Sequence, residues 1–507
     1  MQQQMQPAVR ARGYQRRPLT RYLSPVRAYD EFERLSFKLG RTFDGSFLDS
    51  FFGTLYVRFV LLGFLSYLTF YSFIDNPMRF LGSGVALAQD DLLDASSRRN
   101  QIVYLALVLA ALPLLYVHRR RAWALAKANA WLILLLIVCL LSATWADAPE
   151  TVFKRGVRYA MGMTIVYAVV AAAPSKTFFL RTVLALTVGI MVADLLAYTI
   201  GRGFFDEFAL FRGVHGHKNS AGAFGTMTAL LWLFVAFGAR RITTILFCLL
   251  MIAVAIFVVI VSGSKTQLAV LPVAIAGAAF IAAFVRRGQP ALIASMLLLG
   301  TVATLTVLVV VMVGPLSIVE AIWGDPTMTG RTRIWAGIWP LIQDRPLLGY
   351  GFGGVWRVDD GPLDLVSDER IIVFPHAHNG YLGVVLELGI VGLVLAMGAL
   401  LTPFQQLFRV ARVQALARNV GPFAGLIAAA FVHNLTEATF VDNSLSWTIV
   451  VFAALYIAAT RLRVDTILQR RRLAARSLLQ HPRAEVRSRP ARSGKRPPDR
   501  GRPVPAT

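Results

Sequence analysis

The chain has 507 residues and a formal net charge of +24, yet only 16% of its residues are charged and 56% are hydrophobic. That balance excludes an ordinary soluble globular protein and is typical of a membrane protein. The two cysteines, Cys139 and Cys248, both lie in apolar stretches, which argues against a disulfide framework.

Apolar runs long enough to cross a bilayer recur between residues 53 and 460. They predict an all-α, polytopic transmembrane bundle of about twelve spans. The predicted cores are 53–74, 101–117, 124–143, 159–173, 178–200, 219–237, 243–262, 267–285, 290–314, 379–401, 420–436 and 445–460.

Charges in the connectors predict the orientation of this bundle. With the N-terminus in the cytoplasm, the five internal connectors hold 13 Lys/Arg and no acid, whereas the six external ones hold 15 Lys/Arg and 18 acids. The internal connectors are 118–127, 174–182, 238–242, 284–290 and 402–420, and the external ones are 75–99, 144–158, 201–220, 263–266, 315–378 and 437–444. Positive residues concentrate on the cytoplasmic side of membrane proteins, so both termini are expected there.

The two tails are basic. Residues 1–50 show no cleavable signal pattern, and residues 1–27 carry six arginines without an acid. Residues 461–507 carry 14 Lys/Arg against three acids, with prolines near the end, and are expected to be disordered. We expect both tails to be cytoplasmic and to contact anionic lipid; without interleaved aromatic residues they do not indicate nucleic-acid binding. Residues 51–460 form the predicted membrane domain.

Three external motifs concentrate cations. Lys154, Arg155 and Arg158 open the fourth span, where an anion-binding role and simple snorkelling both remain open. The string R-G-V-H-G-H-K-N, which ends in His217, Lys218 and Asn219, precedes the sixth span, and a helix N-terminus favours anions. Arg212 begins this string. It is a candidate anion site.

The string S-G-S-K-T joins the seventh and eighth spans with almost no loop. Lys265 is therefore held near the apolar boundary, where an ionisable group is a functional candidate, although outward snorkelling is the alternative. A nucleotide loop is excluded, because the upstream glycine at the required spacing and a preceding strand are absent from the sequence.

The long external segment 315–378 carries Arg331, Arg333 and Arg345, and it ends in the pair His376 and His378. Histidine can accept a proton near neutral pH, so it is a candidate base. His378 adjoins Asn379 and the next span, which should hold it more rigidly than His376. Two H-x-H pairs could also bind a metal, but no closely spaced carboxylate or cysteine completes a ligand set in the sequence, and no metal is expected.

External imidazoles and cations in a membrane frame suit transfer from a lipid-linked phosphate or pyrophosphate. The leaving group arrives activated, and cations stabilise the charge that develops on it. A base would deprotonate an acceptor hydroxyl.

At this point the motifs resemble a known family. The strings G-R-x-x-I-W, R-P-L-L-G-Y-G and H-A-H-N-G-Y-L-x(5)-E-L-G are similar to those of the O-antigen ligase and Wzy-type polymerase superfamily, and T-W-A-D-A-P, H-G-H-K-N-S and S-G-S-K-T fit in the same order. H-G-H-K-N and H-A-H-N-G-Y-L are most similar to the exopolysaccharide-production branch, the succinoglycan type. The resemblance covers about residues 130–460.

The resemblance implies a C-type, helical glycosyltransferase of the bacterial inner membrane. It would use an undecaprenyl-pyrophosphate-linked glycan as donor, without a metal, on the periplasmic face. It places the essential histidine at His378 and a pyrophosphate-binding cation at Lys265, where ligases typically carry arginine. Arg212, Lys218 and Arg331 are expected to join Lys265 at the pyrophosphate. His217, His376 and Asn379 complete the set of expected substrate-binding residues.

The leading functional prediction is a polymerase that joins lipid-linked repeat units of an exopolysaccharide. A ligase that moves a finished glycan to lipid A core uses the same donor and is the alternative. A polysaccharide or lipid transporter is the alternative from another class, but the charged motifs lie on one face, whereas transporters place their sites near mid-membrane. A repeat-unit flippase and a chain-length regulator are further candidate partners of a polymerase.

Overall fold

The computed structural model describes residues 51–75, 98–173, 178–201, 204–205, 209–215, 217–287, 290, 293–294, 297, 331–356 and 376–480. These residues are predominantly helical, which confirms the all-α prediction for them. Their α-helices are α1 (Phe51–Asp75), α2 (Arg98–Val117), α3 (Arg119–Ala128), α4 (Ala130–Leu141), α5 (Pro149–Ala172), α6 (Phe178–Ile200), α7 (Lys218–Gly238), α8 (Ile242–Val261), α9 (Lys265–Arg287), α10 (Arg331–Asp344), α11 (Gly380–Val410), α12 (Gln414–His433) and α13 (Leu445–Gln480).

Most of the described helices overlap apolar runs that predicted spans, whereas α3 begins in a predicted connector and α10 lies in the predicted long external segment. Five of the described helices are long and apolar enough to cross a membrane, namely α6, α7, α8, α11 and the part Leu445–Arg470 of α13. Helices α2 and α3 would add a sixth span if this pair, bent by 94°, is one unit. Shorter apolar helices occur within α1, α4, α9 and α12. Most of the predicted span 290–314 lies outside the described residues.

A short helix replaces the predicted connector 118–127. Helix α3 has the sequence RRRAWALAKA and buries Ala122 and Leu125, while Trp123 is exposed. Its residues are good helix formers apart from the tryptophan, so a helix needs no further explanation. The predicted span 124–143 consequently begins only at α4, after the buried Asn129, whose Nδ2 donates to the Ala399 carbonyl over 3.1 Å.

The C-terminal region also differs from the sequence prediction. One compact unit ends at Arg461, and the second begins at Leu462. Residues 461–480 are the last part of α13, whereas disorder was expected from residue 461. This stretch contains neither glycine nor proline and is rich in leucine, arginine and alanine, which favour helix. The predicted tails 1–50 and 481–507 lie outside the described residues.

Helix pairing builds the frame of the first unit. Helix α9 packs on α12, α8 on α7, α2 on α5, and α4 on α11. Trp447 of α13 is fully buried, and its Nε1 donates to the hydroxyl of Tyr159 on α5 over 2.9 Å. This bond gives the buried indole N–H the partner that it needs.

Helix α11 is interrupted at Gly389, and the turn after α10 docks into the interruption. Gly389 has φ 65° and ψ −168°, a conformation that is open essentially to glycine. Four backbone hydrogen bonds join the segments: Tyr350 N to Leu386 O (3.1 Å), Gly351 N to Glu387 O (2.8 Å), Ile390 N to Pro346 O (2.9 Å) and Val391 N to Leu347 O (3.2 Å). These four hydrogen bonds therefore pair the backbone groups at the break, as buried backbone groups require.

Helix α10 lies inside the long segment 315–378 and supports its last residues. Trp335 Nε1 donates to the Ala377 carbonyl over 2.9 Å. Ile338 and Val355 belong to the same buried apolar cluster as Ala377. The tryptophan of the G-R-x-x-I-W string thus fixes the backbone between the two histidines. The parts of the segment at 315–330 and 357–375 lie outside the described residues.

Candidate active site

Asn379 begins α11 and fixes the residues before it. Its side-chain oxygen accepts hydrogen bonds from the backbone N–H groups of Tyr381 and Leu382, both over 3.0 Å. Its Nδ2 donates to the Leu435 carbonyl over 3.2 Å. This is an N-cap that also ties α11 to the turn after α12. The described amide contacts are structural, and the substrate-binding role of Asn379 stays a prediction.

His376 and His378 lie against each other in front of this cap. Their ring centroids are 4.0 Å apart, and the backbone N–H of His378 donates to Nδ1 of His376 over 3.2 Å. His378 has φ 49°, which is uncommon for a residue other than glycine. Such backbone conformations persist where the surroundings enforce them, and they cluster at functional sites.

Glu437, in the turn between α12 and α13, joins the histidines to a buried arginine. Its Oε1 accepts hydrogen bonds from Arg331 Nη2 over 2.8 Å and from Asn219 Nδ2 over 3.0 Å. Its Oε2 lies 3.5 Å from Nδ1 of His378. Arg331 and Glu437 are both more than nine-tenths buried. We call Arg331, His376, His378 and Glu437 the histidine cluster.

The electrostatics of the histidine cluster keep its carboxylate ionised. Burial alone would raise the pKa of Glu437, but the interaction with His378 and the charge of Arg331 outweigh burial and hold that pKa below its ordinary value. Burial, together with the neighbouring His378, lowers the pKa of His376 to about 3. His376 is therefore neutral near pH 7, and because its Nδ1 accepts a hydrogen bond, its proton lies on Nε2.

The S-G-S-K-T string supports the histidine cluster through its hydroxyl groups. Arg331 Nη2 donates to Thr266 Oγ1 over 2.9 Å, and Ser264 Oγ donates to Asn219 Oδ1 over 3.0 Å. Lys265, between them, is exposed at the first position of α9. The structure therefore places Lys265 next to residues of the site, while its contact with a substrate stays a prediction.

The string R-G-V-H-G-H-K-N, the candidate anion site, which we call the anion loop, lies beside the histidine cluster. His217 is exposed and caps α7, because its Nδ1 accepts the backbone N–H of Asn219 over 3.2 Å. Lys218 is the first residue of α7, directly before the Asn219 that contacts Glu437. Arg212 is half-buried, and its backbone N–H donates to the Phe204 carbonyl over 2.9 Å. The substrate contacts proposed for Arg212, His217 and Lys218 stay predictions.

His215 has a structural partner. Its Nε2 lies 3.0 Å from Oδ2 of the fully buried Asp194, and the other oxygen of that carboxylate accepts the Val214 N–H over 3.1 Å. Gly213 has φ 54°, and a Cβ there would lie 2.3 Å from Asp194 Oδ1. A buried aspartate on α6 thus holds the anion loop in place.

Three ligand-type side chains of the histidine cluster could surround a metal ion. One donor atom from each of His376, His378 and Glu437 lies within 4.8 Å of the others. The sequence shows no carboxylate close to the histidines along the chain. The fold supplies one, because it brings Glu437 next to them. The guanidinium of Arg331 lies 2.8 Å from the same carboxylate, however, and its fixed positive charge opposes a divalent cation.

Sequence reasoning gave Glu437 and Thr266 no role in the site, and it included Asn219 only as the last residue of the candidate anion string. Glu437 appeared only as one acid in a short connector, and the hydroxyl beside Lys265 drew less attention than the lysine. A carboxylate directly after an apolar helix could have indicated Glu437. Burial of such a charge costs free energy unless the charge is paired.

Comparisons with known proteins find one family and two relatives that this chain resembles. Residues 250–397 match a family described as O-Antigen ligase, and the matched range includes Lys265, Arg331 and His378. The chain is 26% identical over 333 residues to "Exopolysaccharide production protein ExoQ" of Rhizobium meliloti (strain 1021), an alignment that covers 61% of this chain and 72% of the relative. It is 36% identical over 74 residues to "Putative polysaccharide ligase RP358" of Rickettsia prowazekii (strain Madrid E), which covers 14% of this chain and 18% of that relative.

The apolar helices and these matches define a multi-pass membrane enzyme of the glycosyltransferase class, of the polysaccharide ligase or polymerase type. The chain resembles the O-antigen ligase and Wzy-type polymerase superfamily, in its exopolysaccharide branch, as the motifs predicted.

Proposed function

We propose that this enzyme polymerises oligosaccharide repeat units carried on undecaprenyl pyrophosphate into an exopolysaccharide. The observation that carries the proposal is the histidine cluster itself: an imidazole beside an ionised carboxylate, with a buried guanidinium bound to the same carboxylate. A base and a cation are the two groups that glycosyl transfer from a pyrophosphate donor needs.

In the proposed reaction, His378 removes the proton from an acceptor hydroxyl. That oxygen attacks the anomeric carbon of the lipid-linked sugar opposite the pyrophosphate, the bond to the pyrophosphate oxygen breaks, and the carbon is inverted. Glu437 lies 3.5 Å from Nδ1 of His378, so its negative charge stabilises the imidazolium that forms when Nε2 accepts the proton.

The proposed leaving group departs as an anion that cations hold. Arg331 is proposed to bind the pyrophosphate. Lys218 and Lys265, which adjoin in the chain polar residues that contact Glu437 or Arg331, and Arg212 of the anion loop are proposed to bind it as well. The Nε atom of Arg331 is buried and has no hydrogen-bond partner among the described residues. That unused donor leaves the guanidinium with capacity for a further acceptor, which supports a contact with an anion.

We further propose a twelve-span, C-type arrangement in the bacterial inner membrane. Both termini would be cytoplasmic and the histidine cluster periplasmic, as the acid-free internal connectors indicate. A repeat-unit flippase would supply the substrate and a chain-length regulator would act on the product. The reaction is proposed to need no metal, so EDTA should leave turnover unchanged; a loss that Zn²⁺ or Mg²⁺ restores would favour a metal at His376, His378 and Glu437 instead.

A ligase is the second candidate, because one relative is described as a polysaccharide ligase. The donor and the base would be the same, and only the acceptor would differ. Incubation of the enzyme and lipid-linked repeat units with or without lipid A core separates the two. Chain elongation without lipid A core supports the polymerase, whereas transfer only to lipid A core supports the ligase.

Replacement of His378 tests the proposal directly. Because a general base typically contributes about 10²–10⁴-fold, His378→Ala should lose nearly all elongation of a lipid-linked repeat unit by the purified protein. His378→Gln keeps a similar reach without a base at neutral pH and should be equally inactive. Glu150→Gln, on the exposed surface of α5, is the matched control and should elongate normally. Wild-type rates from His378→Ala would refute the mechanism.

A further inference from the structure

A chamber opens beside the histidine cluster. Its volume is about 410 Å³, within the roughly 300–1,000 Å³ range of small-molecule sites. His376 lines it, whereas Arg331, His378 and Glu437 are not among its lining residues. His376 therefore stands between the histidine cluster and this chamber.

One arginine and one carboxylate of the chamber, Arg155 and Glu387, have structural roles in its wall. Arg155 donates to the carbonyl oxygens of Gly353 and Trp356, the latter over 3.3 Å. Glu387 accepts from the Gly353 N–H over 2.8 Å and from Trp356 Nε1 over 2.6 Å. The two side chains thus use hydrogen bonds to hold the turn 353–356 against α5 and α11.

The other arginine and carboxylate, Arg158 and Asp442, have capacity left for a ligand. The Nε atom of Arg158 is buried without a hydrogen-bond partner among the described residues. Asp442 uses Oδ1 for the N–H and hydroxyl of Ser444, at 3.0 and 2.6 Å, and a carboxylate offers further acceptor positions. Both residues line the chamber. A buried donor without a partner costs free energy, so a ligand that supplies an acceptor there would be favoured.

The chemistry of the lining selects the kind of ligand. Arg155 and Glu387 are engaged with the turn 353–356, which leaves Arg158 and Asp442 to bind a ligand. Tyr104, Phe352 and Phe440 add apolar surface. Paired hydrogen-bonding groups next to aromatic surface suit a sugar, which has hydroxyl edges and apolar C–H faces.

We propose that this chamber is the acceptor-sugar site, in which Arg158 and Asp442 bind hydroxyl groups of the acceptor glycan. The inference rests on the proposed function and deepens it by separating the two substrates. The pyrophosphate of the donor lies on the Arg331 side of the histidines, and the acceptor glycan lies on the Arg158 side. The Nε2–H of His376, on the chamber wall, is available to orient the acceptor hydroxyl toward His378.

Direct binding tests this proposal without the donor. The probe is a repeat-unit oligosaccharide released from the host's own exopolysaccharide by partial hydrolysis, titrated by calorimetry into the full-length protein in nanodiscs. Each substitution removes a hydrogen-bonding group of the site, so Asp442→Asn and Arg158→Gln should each raise Kd about tenfold or more. Asp442→Asn keeps the side-chain size, and Asn still serves at a turn. Arg158→Gln is shorter but keeps a hydrogen-bond donor.

The controls separate this proposal from the proposed function. Glu150→Gln, at an exposed position of α5, should bind the oligosaccharide as wild type does. Inorganic pyrophosphate should not displace the oligosaccharide. Failure of wild type to bind, equal Kd for wild type and both chamber variants, or displacement by pyrophosphate would each overturn the acceptor site. Normal turnover by His378→Ala would refute only the proposed base.

Discussion

At the scale of single residues, Glu437 links the base to the cation. It is bound to the buried Arg331 at 2.8 Å and lies 3.5 Å from the partly buried His378. Removal of one member of a buried ion pair leaves the other charge uncompensated, which typically costs about 3–5 kcal/mol.

We therefore expect Glu437→Gln to lower the thermal unfolding temperature and to abolish most elongation. The double variant Glu437→Gln/Arg331→Gln should recover much of the stability, because no buried charge is left unpaired, but it should stay inactive. Differential scanning fluorimetry and the elongation assay measure the two effects. Full activity in the double variant would show that the pair is only structural.

Asp442 gives the protein a second, pH-dependent signature. Burial raises the pKa of this carboxyl to about 7 from an ordinary value near 3.8, although the hydrogen bonds from Ser444 oppose the shift. Between these two values the folded state holds a proton that the unfolded state has lost. The contribution of Asp442 to stability therefore falls as pH rises from about 4 to about 7, and it is constant above that range.

Comparison with Asp442→Asn isolates this contribution. The unfolding temperature of the asparagine variant minus that of wild type should rise from pH 4 to pH 7 and then level off. Glu150→Gln, whose side chain is exposed, should show no such rise between pH 5 and 7. A temperature difference that does not change with pH would contradict the raised pKa.

At the scale of elements, the break in α11 decides where the turn after α10 can dock. A Cβ on Gly389 would lie 2.1 Å from the Leu347 backbone, and φ 65° is strained for any side chain. Gly389→Ala should therefore displace the turn that carries Trp356, destabilise the protein and weaken binding of the acceptor oligosaccharide.

Gly189→Ala, at a site in α6 with no atom within 4 Å of the new Cβ, is the matched control. It should be neutral or stabilise by up to about 1 kcal/mol, as Gly to Ala does in helices. Equal unfolding temperatures for the two variants would contradict this account.

At the scale of the whole molecule, the orientation in the membrane decides which substrates reach the site. Cys139 and Cys248 are buried, so the wild-type chain offers a quiet background for thiol labelling. Glu150→Cys should react with an impermeant maleimide once the outer membrane is opened. Arg241→Cys, exposed in the connector between α7 and α8, should react only after the inner membrane is permeabilised. The reverse pattern would invert the topology and place the histidine cluster in the cytoplasm.

The sequence determined the helices and several of the chemical groups. Apolar runs located α6, α7 and α8 to within one or two residues, because each such segment must satisfy its own backbone in lipid. Motifs singled out Arg331, His376 and His378, which the fold brings together. The helix over 461–480 could also have been predicted from its leucine, alanine and arginine content, but its charge directed attention to a disordered tail.

Tertiary structure alone decided what these groups contact. Glu437 is far from His378 in sequence, and only the packing of the turn after α12 against the start of α11 brings the two within 3.5 Å. The same packing supplies Arg331 with its counter-ion, Glu437, and with a hydrogen bond to Thr266. Periodicity in a sequence reports which residues are buried, because burial repeats with each helical turn. The partner of a buried charge follows from how separate helices meet, which no local pattern records.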